Sequence, residues 1–544
     1  MICLDSSERY FDANGQRVAA PAGLWNFLRE NARDLSAWFG AVQLPPAGKT
    51  QSGNHPTGDG DGVFDKRDLG TKLQQGSVGT YFGTGEELLA AIAALYAHGM
   101  EAWPDLVLHQ AIGENGGPGV FRFVGADGKT LNGRGGTAAG WFRGQCNPIL
   151  DRANREIGWH DPIPPFSPQD PCPSPRDDNA FGREYVYRNC VPEGASLEDA
   201  VDYIRWFLRR TGLAKPRLDD MKGIYQGAVS AFLDAIQNEA VGEYFSGNED
   251  ELDGWALSQP ISGRCAVYDF PWHFAIQDAC NSFDARKLAG RGYWRRRPGL
   301  AVVFVQNRDT DTSPGQQVIF NGGIAYALTL GVPALRADVS AKDFFAASAV
   351  WPQAYGLSNA GLTTTCWFHN TFAFGGFAER WVDQDVYAYT RDGNGGSVGW
   401  SGGCLVAANF NTLTPRHISV YVPFWNVGEW IHDYSGHCPD GRVREGHLFD
   451  AYLPSNAYSG GMSYGLWAPG GVHQPGQNAG ARAITQTFVC EFDAQGLPDL
   501  DVMPVMNAMR RLPQRLRCAE GSSIRLAFTM ERGQLPADAA VQIE

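Results

Sequence analysis

The sequence predicts an α/β fold: parallel strands alternating with helices, broken by one irregular insertion and followed by an all-β region. Three observations carry this reading. From about residue 25 to 110 and again from 191 to 385, helical periods alternate with short apolar runs, the pattern of βα units. Residues 111 to 190 lose that rhythm and are rich in Gly and then in Pro, from Pro162 to Pro175. After about residue 385, strand-like runs such as Val386-Tyr387-Ala388-Tyr389 stand between Gly-rich turns.

The individual elements have local causes. Thr84-Gly85-Glu86-Glu87 reads as a capping box, in which Thr84 and Glu87 satisfy free N–H groups at a helix start. Leu88, Ile92, Leu95 and Tyr96 then recur at helical spacing until Gly99 ends the helix. A strand is expected from Trp103 to Gln110. A helix opens at Ser196, buries Val201, Ile204 and Leu208, and stops at Gly212; another is expected from Ile224 to Gln237. The run Leu300 to Val305 is almost wholly apolar, as a parallel strand buried on both faces should be. Ile418 to Val422 is a further strand, and a β tail follows, with strand candidates at Ile484 to Phe492 and Ser523 to Met530.

The chain has 544 residues, enough for two to four domains. With 43% hydrophobic and 19% charged residues it has the composition of a folded globular protein. Its 66 Gly and 32 Pro are spread along the chain and form no low-complexity linker. The net charge of −14 argues against nucleic acid or an anionic membrane as partner, because both require a positive surface. Arg295-Arg296-Arg297 is explained by a solvated face. No stretch has the roughly 18 to 20 apolar residues of a membrane span. Met1 to Tyr10 shows no signal-peptide pattern, so the localisation stays open between the cytoplasm and a secreted protein read after cleavage. Eleven Cys at irregular spacing show no zinc pattern; disulfides among Cys146, Cys172 and Cys190 stay open.

Four segments place carboxylates at predicted strand ends. They are Asp105 to Gln110, Arg217 to Lys222, Val241 to Tyr244 and Phe304 to Asp309. In this order and spacing they resemble the four conserved regions of the α-amylase superfamily, glycoside hydrolase family 13, whose patterns run D-x-V-x-N-H, G-x-R-x-D-x-x-K, a Glu after a strand, and N-H-D. Gln43 to Ala47, Asp65 to Tyr81 and the turn Asp433 to His437 resemble the family as well, so the likeness covers roughly residues 25 to 470.

The resemblance implies a (β/α)8 TIM barrel with an inserted domain after the third strand and a C-terminal all-β domain. The boundaries are then 1–110 and 191–385 for the barrel, 111–190 for the insertion, 386–475 for the β domain and 476–544 for a β appendage. It also implies a retaining α-glycoside hydrolase acting on α-1,4-linked glucans or maltooligosaccharides. Asp219 would be the nucleophile, Glu243 the general acid/base, and Asp309 the group that stabilises the transition state. Such chemistry needs two carboxyls roughly 5 to 5.5 Å apart. Arg217, two residues before Asp219 on the same strand face, would favour the ionised nucleophile. Lys222 would line the aglycone side and Asp105 would support the strand-end framework.

The pattern departs from the family at one subsite. Gln110 and Arg308 stand where the family has His, and Asp61 where it has a stacking Tyr. Gln110 keeps an amide, and glucansucrase-type relatives carry Gln there. Arg308 either reads an unusual sugar or pairs with Asp61. His109 replaces an Asn that often binds calcium; an imidazole is a poor substitute for an oxygen donor. No organic cofactor is implied. A transglycosylase that re-links α-glucosidic bonds and a non-catalytic carbohydrate-binding homologue are the alternative functions.

Three local motifs read as structural. Gly399-Trp400-Ser401-Gly402-Gly403 fits a nucleophile elbow but lacks the strand-to-helix switch. His432, His437 and Cys438 lack a fourth metal ligand. Asp59-Gly60-Asp61-Gly62 lacks the terminal Glu of a calcium loop.

Overall fold

The computed structural model describes residues 1–3, 10–11, 17–18, 23–55, 60–111, 122–124, 130–132, 183–184, 195–307, 309–311, 313, 315–345, 360–394, 402–456, 462–472, 484–490, 524–530 and 541–543. Eight parallel strands close into a barrel: β1 (Ile2–Cys3), β2 (Ala41–Leu44), β3 (Glu101–Leu106), β4 (Arg217–Leu218), β5 (Ala240–Gly242), β6 (Cys265–Tyr268), β7 (Ala301–Phe304) and β8 (Arg336–Ser340). Each strand pairs with its neighbours in sequence order, and β1 closes the ring between β8 and β2. The alternation legible from about residue 25 omits β1, because two residues carry no period. Val339 donates its N–H to the Met1 carbonyl, which helps fix β1 in place.

Two layers of apolar packing hold the barrel. Inside, Trp103, Val241, Ala266, Tyr268, Phe270, Val302 and Phe304 form their own buried cluster. Outside, helices bury a stripe against the strands, as Leu24, Trp25, Leu28, Ala32 and Leu35 do in Leu24–Leu35. The Thr84 capping box forms as read, and its helix spans Gly85–Ala97. The helix Ala195–Thr211 ends at Gly212, which takes a left-handed φ of 71°. The helix expected from Ile224 to Gln237 spans Gln226–Ile236, with Gln237 as its left-handed cap.

The third strand is shorter than expected. It ends at Leu106, and the chain turns through three buried residues, Val107, Leu108 and His109. Gln110–Ala111 then leaves the barrel and pairs antiparallel with Arg183–Glu184. This is where the rhythm of the sequence fails, and Arg122–Val124 pairs with Thr130–Asn132 in the same region.

A six-stranded antiparallel sheet follows the barrel, in the order Phe377–Val382, Val386–Arg391, Cys404–Asn409, Tyr464–Pro469, Trp430–Asp433, Gly441–Arg442. It starts at Phe377, ahead of the boundary at residue 386. A bulge between Glu379 and Trp381 shifts the pairing register there and blurs the two-residue alternation that would mark the strand. Arg416–Tyr421 and Leu448–Leu453 pair separately, and the two layers enclose a core that includes Leu405, Ile418, Trp425, Phe449 and Trp467. In the tail, Ile484–Cys490, Ile524–Met530 and Val541–Ile543 form a three-stranded antiparallel sheet. No helix among the described residues is long and apolar enough to cross a membrane.

Candidate active site

The carboxyl ends of β3, β4 and β5 build the site, and the parallel ladder sets its register. Arg217 is paired with Asp105 on one side and Val241 on the other. Beyond the strands the ladder continues: Asp219 donates its N–H to the Leu106 carbonyl at 3.1 Å, and Glu243 donates to the Leu218 carbonyl at 2.9 Å. Asp219 and Glu243 therefore leave adjacent strands at matching height.

Arg217 joins these groups. One of its terminal nitrogens donates to both oxygens of Asp105, at 2.7 and 2.8 Å, and to Asp219. The other donates to Glu243 Oε2 at 2.7 Å. The Arg217 side chain is 4% exposed, and those of Asp105, Asp219 and Glu243 are 1%, 11% and 14% exposed. Burial disfavours the guanidinium charge, but the fields of Asp105, Glu243 and Asp219 outweigh it and hold its pKa well above the ordinary value. One positive charge thus faces three acidic side chains in a nearly dry pocket.

Below this level the barrel is also polar. The Tyr268 hydroxyl donates to Gln43 Oε1 at 2.7 Å, and Arg336 pairs with Asp338 at 2.9 Å. Burial, reinforced by Asp338, pushes the Tyr268 phenol well up, so it is a neutral donor.

The remaining expected site residues stand on other loops and turns. Lys222 lies on the loop after β4. Its ammonium pairs with Glu251 at 2.6 Å and donates to the Phe245 carbonyl at 3.1 Å. Glu251 also accepts from Tyr244 and Ser246, and these partners outweigh burial to keep its pKa low. Asp309 is exposed on the loop after β7; its N–H is held by Asn307 Oδ1 at 3.0 Å, and its carbonyl accepts from Ser313. Asp61 sits half-buried on the turn joining Lys49–Thr50 to Val63–Asp65, and its carbonyl accepts from Val63 at 2.9 Å. The backbone of Gln110 pairs with Glu184, while its side chain lies outside the described residues, as does Arg308.

A further contact at the site was not legible in the sequence. His109 is buried, with Nδ1 3.5 Å from Asp220 Oδ2. Asp220 adopts a left-handed φ of 40° and directs its N–H at Glu243 Oε2, 3.4 Å away. A Cβ on Gly223 would lie 2.7 Å from His109 Nε2, so only glycine admits the imidazole at this distance. The sequence signal is the run Asp219-Asp220, whose second carboxylate has a partner only in three dimensions. An imidazole facing a carboxylate is not a calcium donor set, because calcium takes oxygen ligands. Among the described residues no group of three or more His, Cys, Asp or Glu is arranged to hold a metal ion.

The three side motifs resolve less evenly. His432 pairs with Asp440 at 2.9 Å. Asp433 caps its own turn by accepting from the backbone of Ser435, Cys438 and Leu466. Residues 399–401 and Asp59 lie outside the described residues, as do Cys146, Cys172 and Cys190, whereas Cys3, Cys265, Cys280, Cys366, Cys404 and Cys438 are free thiols.

A closed parallel barrel with acidic groups gathered at the carboxyl ends of successive strands belongs to the (β/α)8 class, which carries its sites on that face. Comparison with known proteins narrows the class. An α-amylase of Geobacillus stearothermophilus is 27% identical over 334 residues, covering 54% of this chain and 57% of the relative. A glucan 1,4-alpha-maltohexaosidase of Bacillus sp. (strain 707) is 25% identical over 343 residues, covering 56% and 64%. The chain thus spans less than two thirds of the length of these two relatives. The structure of an α-amylase from Malbranchea cinnamomea superposes with a TM-score of 0.57 at 16% identity, covering 86% of this chain and 96% of the other. No protein-family model matches. These likenesses support a distant member of the α-amylase superfamily, glycoside hydrolase family 13.

Proposed function

We propose that the protein is a retaining α-glycoside hydrolase acting on α-1,4-linked glucans or maltooligosaccharides. The observation that carries the proposal is the Arg217 fork, which bonds Asp219 through one nitrogen and Glu243 through the other. Both carboxylates lie within hydrogen-bond reach of one guanidinium, which supports the close-set pair that a direct displacement uses.

In the proposed mechanism Glu243 gives its proton to the glycosidic oxygen while Asp219 attacks the anomeric carbon. The C–O bond to the leaving sugar breaks and a glycosyl ester on Asp219 forms. Glu243, now a carboxylate, then removes a proton from water, which cleaves the ester and restores both groups. Arg217 keeps Asp219 ionised for attack, and Asp105 holds Arg217 in line. Asp309 would stabilise the positive charge that develops on the sugar. Lys222 would face the leaving portion. Gln110, Arg308 and Asp61 would shape the sugar subsite beside the cleavage point. The reaction requires no organic cofactor.

Incubation of the full chain with maltoheptaose tests this, with Glu243→Gln and Asp219→Asn as controls. Shorter sugars in the α-configuration, lost in both variants, are the expected result. Larger or re-linked products would replace hydrolysis by glycosyl transfer. An unchanged substrate would overturn the assignment to α-1,4-glucans.

A further inference from the structure

The loop after β4 is tied to Glu243 at three points. Glu243 donates its N–H to the Leu218 carbonyl at 2.9 Å, and its own carbonyl accepts from Met221 at 2.8 Å. Between these two bonds stands Asp220, whose N–H points at the Glu243 carboxyl, 3.4 Å from Oε2. That direction depends on an unusual backbone, because Asp220 has a left-handed φ of 40°. For a residue with a Cβ this conformation costs energy, and it persists where the surroundings impose it.

The surroundings come from the end of β3. His109, 2% exposed, lies over the turn with Nδ1 3.5 Å from Asp220 Oδ2. That separation is too long for a strong hydrogen bond, so the imidazole holds the carboxylate by its dipole and by packing. Gly223 closes the turn by donating its N–H to the Asp220 carbonyl at 3.1 Å. A Cβ on Gly223 would fall 2.7 Å from His109 Nε2 and 2.8 Å from Asp220 Oδ2, so both groups use the room that glycine leaves. An imidazole, a carboxylate, a left-handed residue and a glycine thus form one unit. It ends on the same oxygen of Glu243 that accepts from Arg217 at 2.7 Å.

We propose that His109 and Asp220 are positioning residues for Glu243: the imidazole props Asp220 in the backbone conformation that directs its N–H at Oε2 and leaves Oε1 to carry the proton. An oxygen that already accepts from two N–H groups is poorly placed to bear a proton of its own. The inference rests on Glu243 being the acid of the activity proposed above.

The leaving group separates this role from general support of the fold. Cleavage between two sugars needs the proton from Glu243, since the departing oxygen would otherwise leave as an alkoxide. Fluoride leaves α-maltosyl fluoride as the free anion, without that proton, while Asp219 attacks in the same way. The measure in both cases is kcat/KM, which covers the steps up to the first bond cleavage.

In the full chain, His109→Ala is expected to lower kcat/KM on maltoheptaose about 30-fold, and on α-maltosyl fluoride by less than about threefold. Asp220→Ala, which keeps the imidazole and removes the carboxylate it faces, should show the same contrast. Adding Asp220→Gly to His109→Ala should recover about tenfold on maltoheptaose, because glycine takes a left-handed φ unaided. An equal fall on the two substrates in both single variants, or no fall on either, would overturn the positioning role and leave the proposed activity intact. So would a double variant no better than His109→Ala. A parent inert on both substrates would overturn the activity and the role together.

Discussion

Arg217 reaches both carboxylate oxygens of Asp105 through a single nitrogen, at 2.7 and 2.8 Å, across 112 residues of sequence and with both side chains buried. This contact orients the rest of the fork toward Asp219 and Glu243, so the three acidic groups depend on one guanidinium. Lysine offers a point charge without the planar fork. Arg217→Lys is therefore expected to lower kcat/KM on maltoheptaose by at least about 100-fold. Arg217→Met should in addition cost about 3–5 kcal/mol of stability, because buried carboxylates lose their counter-charge. Steady-state kinetics and urea unfolding of the two variants check both effects.

Gly223 is expected to be intolerant of the smallest substitution. A methyl group there would meet His109 Nε2 at 2.7 Å and Asp220 Oδ2 at 2.8 Å. Gly223→Ala should displace the imidazole and with it the Asp220 N–H that faces Glu243, lowering kcat more than it raises KM. Overpacking of this kind costs roughly 1–3 kcal/mol. Pairing the change with His109→Ala supplies the missing space, and recovery of stability in the double variant would verify that the clash is the cause.

Lys49 is fully buried in the hairpin of Lys49–Thr50 and Val63–Asp65. Its ammonium donates to the carbonyls of Ser77, Val78 and Gly79 at 2.9, 2.6 and 2.9 Å and lies 3.7 Å from Asp68. Three donors on one compact head suit three converging carbonyls. Burial lowers its pKa, with Asp68 opposing. Lys49→Met takes the ammonium from those carbonyls and the counter-charge from buried Asp68, and is expected to destabilise the protein by about 3 kcal/mol or more. Lys49→Arg should also destabilise, since the larger fork does not fit. Thermal and urea unfolding distinguish this from a surface lysine, whose loss would scarcely register.

His273 makes stability depend on pH. It is stacked on Phe304 at 4.9 Å, its Nδ1 contacts the Val305 carbonyl at 2.6 Å, and burial pushes its pKa down to about 4. The folded state thus holds it neutral, while the unfolded chain takes up a proton below about pH 6.5. Its contribution is intact above pH 6.5 and is lost as pH falls toward 4, with a slope of up to about 1.4 kcal/mol per unit. His273→Gln should flatten the fall in unfolding free energy between pH 6.5 and 4. A variant as acid-sensitive as the parent would refute the assignment.

Much of the fold was legible from local signals because those signals act over one or two turns of chain. The Thr84–Glu87 box and Gly212 mark helix ends through hydrogen bonds and left-handed backbone within a few residues. The carboxylates announced themselves by standing at the carboxyl ends of strands, Asp105 within the last two residues of its strand and Asp219 and Glu243 just past theirs. Asp309 and Lys222 were legible as residue types in a motif, but their bonds to Asn307 and Glu251 were not.

By itself, then, the sequence determined the order of helices and strands, the three acidic groups at the strand ends and the insertion after the third strand. These follow from propensity, periodicity and turn chemistry, which neighbours in the chain settle among themselves. The tertiary structure decided what depends on register between distant strands. It made Ile2–Cys3 the strand that closes the barrel, and it turned Arg217 into the common partner of groups 112 and 26 residues away. It brought His109 over Gly223. Each of these is a meeting of surfaces. Only the packed chain brings them together, because the free energy that selects one meeting over another comes from burial shared by the whole barrel.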